Sequence, residues 1–274
     1  MSKGNILIIG SAGSLGRELC KRLKEKYSIF ALDVNENDLA HVFRLHSVPV
    51  FLEDFTNTNK IMDIVKNNKI DIIINCAAMK HVKSCEEDVE KAIRVNILGN
   101  INLINSIKKT RVGFIYISTD KAIKPTNVYA LTKQFVDYVI KKNNYKIIRG
   151  VNFLNSKGSV LTIWDQQYIN KYPFTLVKDK CVRYFVTLSE MSNIIEKSIT
   201  KDGYEFYPSD IYEISIRDLF LGYLKFKNLN YEKEKIKLFS MEPHEKTKED
   251  INFDTNIHQI TDIEQISDMI RFCF

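Results

Sequence analysis

Four chemically distinct groups fall within residues 118–133, which read S-T-D-K-A-I-K-P-T-N-V-Y-A-L-T-K. Tyr129 and Lys133 stand four apart, which on a helix places them on one face about one turn apart. An ammonium beside a phenol favours the phenolate, so this pair lets Tyr129 act as a base below its ordinary pKa of about 10. Ser118 follows the apolar run 113–117 (GFIYI), and a hydroxyl at a strand end can share a substrate hydroxyl with that tyrosine. Asp120 and Lys121 add a second acid/base pair, which a simple dehydrogenase would not need. Taken alone, Tyr-x-x-x-Lys also describes an ordinary amphipathic helix, and Asp-Lys a solvated turn pair.

Strands and helices must position these groups. Residues 5–9 (NILII) form a short continuous apolar run, as a buried parallel strand does. Further strands are expected at 28–32, 48–52, 70–75, 114–117 and 147–153, with helices at 17–27, 61–68, 87–108 and 127–143. Strands separated by helices pair in parallel through right-handed crossovers. The expected fold is therefore α/β, a Rossmann-type doubly wound parallel sheet over residues 1–150. Residues 151–274 would mainly form a small lobe interleaved with the sheet. Trp164, in an apolar helix-like run, is expected in the core.

Between the first strand and the first helix lies G-S-A-G-S-L-G, with Gly10, Gly13 and Gly16 at G-x-x-G-x-x-G spacing. Free backbone N–H groups and the positive dipole end of a helix bind phosphate, and glycines let the pyrophosphate approach. The context makes Gly10, Ser11, Gly13, Ser14, Leu15 and Gly16 candidates for a dinucleotide's phosphates. Asp33, closing the second strand, suits the adenosine ribose, and its charge favours NAD over NADP. Asp54 and Phe55, after the third strand, can frame the adenine. Lys80 and His81 follow the fourth strand, at the mouth of the expected cleft. Each has a plainer reading as well, as turn, cap or surface residue.

Composition narrows the partners. The 274 residues are 45% hydrophobic and 27% charged, with a net charge of +6. The lysines are scattered among Asn, Ile and Tyr instead of forming a stripe, so phosphate-bearing small molecules are expected and nucleic acid is not. The five cysteines have no metal-type spacing, and no metal is expected. No signal peptide opens the sequence and no apolar run approaches membrane-spanning length, which points to a cytoplasmic protein without a membrane partner.

Several motifs together resemble a known family. They are the glycine loop, N-x-A-A-x-K-H-V (Asn75, Ala77, Ala78, Lys80, His81, Val82), N-I-L-G (Asn96 to Gly99) and S-T-D-K-A-x-x-P-T-N-V-Y-x-x-x-K. This order resembles the extended short-chain dehydrogenase/reductases, and more narrowly the inverting UDP-N-acetylglucosamine 4,6-dehydratases. Arg149, Asn152, Ser156-Lys157-Gly158-Ser159-Val160 and Arg183-Tyr184-Phe185 continue the likeness, as do Pro243, Glu245-Lys246 and Glu249. Departures are Ile9, Ser11, Lys83, Ala130, Val151 and His244, and the sequence is shorter than most of the family.

The resemblance implies a nicotinamide cofactor, NAD or NADP, and a homo-oligomer. It implies C4 oxidation of the sugar with Tyr129 as base, Ser118 and Lys133 assisting. Lys121 would then remove the C5 proton, Asp120 would protonate the departing C6 hydroxyl, and hydride would return to C6. It also implies that Ala77, Ala78, Lys80 and Asn96 border the cofactor, with Asn96 supporting the lysine through water. Lys80, His81, Thr119, Asn152, Ser159, Val160 and Arg183 would meet the nucleotide sugar. Two alternatives stay open: a nucleotide-sugar C4 epimerase or 4-ketoreductase, and a non-catalytic dinucleotide-binding regulator.

Overall fold

Strand β1 (Asn5–Ile9) is buried on both faces, which is why it reads as one apolar run. The computed structural model describes residues 4–274. After β1 come α1 (Ser14–Leu23), β2 (Ser28–Asp33), α2 (Glu36–His46), β3 (Val50–Leu52), α3 (Thr58–Asn67) and β4 (Ile72–Asn75). Then follow α4 (Val82–Glu87), α5 (Val89–Ala92), a π-helical stretch (Ile93–Leu98), α6 (Gly99–Ile107), β5 (Gly113–Thr119), α7 (Val128–Lys142) and β6 (Lys146–Gly150). The remaining elements are β7 (Asn152–Phe153), α8 (Val160–Ile169), β8 (Phe174–Val177), β9 (Val182–Val186), α9 (Leu188–Thr200), β10 (Glu205–Phe206), β11 (Asp210–Ser215), α10 (Ile216–Phe226), β12 (Ile236–Phe239), β13 (Asn256–Gln259) and α11 (Ile263–Cys273).

Two compact units result. The first takes the chain up to Arg149 and again Met191–Phe206; the second takes Gly150–Glu190 and Tyr207–Phe274. The first unit holds a seven-stranded parallel sheet in the order β10-β6-β5-β4-β1-β2-β3. Strand order reverses between β1 and β4, and ligands of such sheets bind beyond the carboxyl ends at that reversal. The glycine loop after β1 and the Asn75-to-His81 segment after β4 both start there. The second unit has a four-stranded sheet, β13-β11-β9-β7, and the pair β12-β8. Trp164 is in its core, 2% exposed, with Phe174, Phe220 and Tyr223. Among the described residues, no helix is long and apolar enough to cross a membrane.

Four features differ from the sequence expectation. The helix expected over 87–108 runs without a break from Val89 to Ile107 but is π-helical over Ile93–Leu98, where Asn96 turns inward to bond a neighbouring loop; Asp88 caps its start by accepting the Lys91 N–H. Helix α2 buries only Leu39 and Val42, too sparse an apolar period to stand out. The strand expected over 147–153 breaks after Gly150, and Asn152–Phe153 pair with β9 in the second unit. Strand β10 is two residues, below the length at which any pattern shows.

Candidate active site

The glycine loop is held by its own backbone. Gly10 has φ +76°, and a Cβ there would lie 2.7 Å from the Ala77 nitrogen. A Cβ on Gly16 would lie 2.3 Å from the Gly10 carbonyl oxygen, so helix α1 can approach the loop only without one. Gly13 is different: its Cβ would meet only the Gly10 oxygen, at 3.3 Å. That contact is tight but with one atom only, a milder constraint than at Gly10 or Gly16. No side chain caps α1 at Gly13, and the N-terminus of such a helix suits an anion. The Leu15 side chain itself is core. Ser11 is fully buried and donates its hydroxyl to the Leu32 carbonyl, so it props the loop on β2. Asp33 accepts the Ala12 N–H on Oδ2 and the Asn35 N–H on Oδ1, each at 3.0 Å. That fixes the carboxylate beside the loop and leaves lone pairs for a ribose. Asp54 is exposed and closes its own turn by accepting the Thr56 N–H. Phe55 corrects the sequence reading: it is 4% exposed, in the core against Gly99, and cannot frame an adenine.

The segment after β4 is tied down by asparagines. Asn75 accepts the Ala77 N–H and donates to Asn100. Asn96, in the π-helical stretch, accepts the Met79 N–H at 2.8 Å and donates to the Met79 carbonyl and the Thr132 hydroxyl. Both its amide hydrogens are used by these two partners. It links the Met79 segment to the helix carrying Tyr129, the kind of functional placement for which π-turns recur. Ala77 and Ala78 are half-buried; Lys80 and His81 are exposed at the end of the same segment. Partial burial, then the neighbouring Lys80 charge, lowers the His81 pKa from its ordinary value. Glu86 accepts the Val128 N–H at 2.7 Å and so caps α7, not the helix that follows it in sequence.

Strand β5 delivers the chemistry, and its alternation sorts the groups. Tyr116 and Ser118 lie towards α7: Lys133 Nζ sits 4.1 Å over the Tyr116 ring, and Ser118 donates its hydroxyl to Asp137 at 2.9 Å. Lys133 Nζ also donates to the Ile117 carbonyl at 2.5 Å. Ser118 is 4% exposed, and its only hydroxyl proton goes to Asp137. The Thr119 hydroxyl lies beside the Tyr129 phenol and favours its phenolate, and it donates to Asp120 Oδ1 at 2.8 Å. The same Oδ1 accepts the Lys121 N–H at 2.9 Å and Lys121 Nζ at 3.3 Å. Asp120 is 1% exposed, and its Oδ2 is buried with no hydrogen-bond partner. Tyr129, Thr119, Asp120 and Lys121 thus form one continuous chain. The strand's period of two was the signal that separates Thr119 from Ser118.

The electrostatics also depart from expectation. Burial, and next the negative charge of Asp120, push the Tyr129 phenol above its ordinary range, so the resting protein holds phenol and not phenolate. Burial pushes Lys133 down to about 8, with the Asp137 charge opposing.

The remaining candidates lie in the second unit. Asn152 donates to the Tyr184 carbonyl, joining β7 to β9. Arg183 donates to the carbonyls of Val182 and Thr247. Ser159 is the N-cap residue of α8 with Val160 its first residue, and the Ser159 hydroxyl is buried without a hydrogen-bond partner.

Comparison with known proteins agrees with this architecture. Residues 6–271 match the family model described as polysaccharide biosynthesis protein. The capsular polysaccharide biosynthesis protein CapD of Staphylococcus aureus is 29% identical over 279 residues, covering 94% of this chain and 46% of CapD. The chain therefore spans about half the length of that relative. A UDP-N-acetylglucosamine 4,6-dehydratase (inverting) of Campylobacter jejuni is 28% identical over 242 residues, 80% of this chain and 70% of that one. Among solved structures, DesIV, a dTDP-glucose 4,6-dehydratase from Streptomyces venezuelae, superposes with a TM-score of 0.83 at 15% identity, covering 98% and 96% of the two chains, a likeness of fold. With its fold, its glycine loop and its Tyr-x-x-x-Lys helix in that register, the chain belongs to the polysaccharide biosynthesis protein family.

Proposed function

We propose that the protein is a nucleotide-sugar 4,6-dehydratase acting on UDP-N-acetylglucosamine, with inversion at C5. The observation that carries this reading is the hydrogen-bonded chain from Tyr129 through Thr119 and Asp120 to Lys121. An epimerase or 4-ketoreductase needs the tyrosine and Lys133 but has no use for Asp120 and Lys121. A regulator that only binds dinucleotide needs none of them.

Gly10 to Gly16 and Asp33 would hold a nicotinamide dinucleotide, NAD in this reading because a 2′-phosphate would meet the Asp33 carboxylate. When bound, that group supplies the hydride acceptor at C4 and the hydride donor at C6, and returns to its starting state. Tyr129 receives the O4 proton as C4 becomes a ketone, with the Thr119 hydroxyl orienting the phenol. The raised Tyr129 pKa makes its phenolate a strong base once formed, and the cationic form of Lys133 favours that phenolate. The ketone acidifies C5–H, and Lys121 in its neutral form takes that proton. Asp120 in its protonated form gives a proton to the C6 hydroxyl, which leaves as water. Its unpartnered Oδ2 suits that exchange. Protonation of C5 from the opposite face completes the inversion, and the balance is loss of one water.

Self-association belongs to the same proposal. Leu131, Phe135 and Tyr138 form an exposed apolar stripe on α7 at helical spacing. Sedimentation of the protein in solution would reveal a dimer or larger assembly, and a monomer at all concentrations would remove this part. The reaction is tested by mass spectrometry of UDP-N-acetylglucosamine incubated with the protein and catalytic NAD. The expected product has lost one water without net cofactor consumption, and in D2O carries deuterium at C5. An isomer of unchanged mass, retained in the Asp120→Asn/Lys121→Ala double variant, would replace the dehydratase reading with an epimerase.

A further inference from the structure

Beneath the proposed catalytic chain lies a buried cluster of charges that the reaction does not use. Asp137 is on α7 one turn beyond Lys133 and is 6% exposed. Its Oδ2 accepts the Ser118 hydroxyl at 2.9 Å and Arg149 at 3.0 Å. Arg149, on β6 and 5% exposed, donates at 2.9 Å to the Thr119 carbonyl. Its other side is anchored by Glu205 of β10 at 2.6 Å, and Glu205 in turn meets Lys141 at 2.9 Å. With Lys133 on the Ile117 carbonyl, three consecutive residues of β5 are gripped by polar groups: 117 and 119 through their carbonyls, 118 through its hydroxyl.

A buried ion pair is weak evidence for stability, because desolvation of both partners offsets much of their attraction. A hydrophobic pair of equal volume would fill the space as well. What it would lack is direction. The Thr119 hydroxyl has to face Tyr129 and Asp120, and a strand end that rotates by a few tens of degrees aims it elsewhere.

We propose that Asp137 and Arg149 are positioning residues, which aim the Thr119 hydroxyl by holding the end of β5. The inference rests on the dehydratase reading for its turnover arm only. Around Lys133 stand Asp137 on its own helix, Arg149 on β6, Cys76 after β4 and the Tyr116 ring on β5. Asp137 is the strongest of the charges that act on it, and its carboxylate raises the lysine's proton affinity against burial. Asp137→Asn keeps the volume and can still accept from Ser118, but removes that charge.

The test compares the full-length wild type with Asp137→Asn and Arg149→Lys, using UDP-N-acetylglucosamine and NAD. For Asp137→Asn, kcat should fall roughly 10–100-fold with KM nearly unchanged. The pH at which Lys133 loses its proton, followed by 13C NMR of labelled lysine and assigned with Lys133→Met, should move lower. Arg149→Lys, which keeps the charge but loses the fork, should lower kcat while leaving that titration near wild type. Unchanged kcat in both variants, or an unmoved Lys133 titration in Asp137→Asn, would overturn the inference. If the wild type turns over no nucleotide sugar, the functional reading fails, and the NMR titration still decides whether Asp137 governs Lys133. Should Asp137→Asn fail to fold, Arg149→Lys carries the kcat comparison, and a wild-type kcat in it overturns the inference.

Discussion

The glycine loop and the β5–α7 corner sit on the same sheet, yet they are built from opposite materials. The loop owes its shape to missing side chains and to backbone contacts, with only Ser11 and Asp33 adding polar props. The corner owes its shape to buried charge: Asp120, Lys133, Asp137 and Arg149 are each less than a tenth exposed. A backbone-built site tolerates no added atoms but is indifferent to pH. A charge-built site accepts isosteric change but responds to every protonation event. The contrast predicts how each region fails.

The largest effect is expected from Gly16→Ala. Its Cβ would sit 2.3 Å from the Gly10 carbonyl oxygen and 2.6 Å from the Ser11 Cα, both backbone atoms that cannot rotate away. The loop must shift, so NAD affinity measured by calorimetry should fall by at least about 100-fold. Thermal stability should drop as well. Gly13→Ala meets one backbone oxygen at 3.3 Å and should cost clearly less stability than Gly16→Ala while still weakening NAD. Equal destabilisation by both changes would mean that Gly13, like Gly16, is required by packing and not by a ligand.

In the corner, the contrast falls between two neighbouring hydroxyls. Thr119→Val keeps the shape but breaks the link between Tyr129 and Asp120, and turnover should fall roughly 10–100-fold at unchanged fold. Ser118→Ala removes a donor from buried Asp137 and should cost about 1–3 kcal/mol of stability, with a much smaller loss of turnover. Urea unfolding and turnover measured on the same preparations separate the two. The reverse ranking of turnover would restore Ser118 to the catalytic role that its place at the strand end first suggested.

This is also where the sequence stopped being legible. Gly10, Gly13 and Gly16 announce themselves, because no other residue type satisfies such spacing between a strand and a helix. Tyr129 and Lys133 could be paired from helical period alone. Asp137 and Arg149 could not be paired, since they come from different elements and nothing local marks either as buried. Asn96 was visible as an oddity inside a helix, but its partners, Met79 and Thr132, are 17 and 36 residues away. Phe55 misled because a strand end and a buried core position look alike in one dimension. The second unit was expected as a lobe after residue 150. That β10 would return to complete the first unit's sheet depends on Glu205 and Phe206 pairing with Ile147 and Ile148, a tertiary fact.

The subtlest expected effect is a pH dependence confined to the corner. Burial lowers Lys133 from 10.5 to about 8 in the folded protein. Below about pH 8 the lysine is charged in both states, and the native protein bears the full cost of burying it. Between about 8 and 10.5 the unfolded chain still binds a proton that the native state has released, so this group's contribution to stability rises with pH across that window. Lys133→Met removes the titration and adds only a constant offset from the lost bond to Ile117. The melting temperature of the variant minus that of wild type should therefore be greatest below pH 8 and decline steadily towards pH 10.5. Buried thiols act in the opposite sense, since Cys20 is pushed up to about 12 and Cys85 to about 11. They lose stability as pH rises through the thiol range, but both proteins share them and they cancel in the difference. Gly13→Ala, run through the same series, should track wild type at every pH. A flat difference for Lys133→Met would show that the corner is not governed by buried charge, and the distinction between the two regions would then have to rest on shape alone.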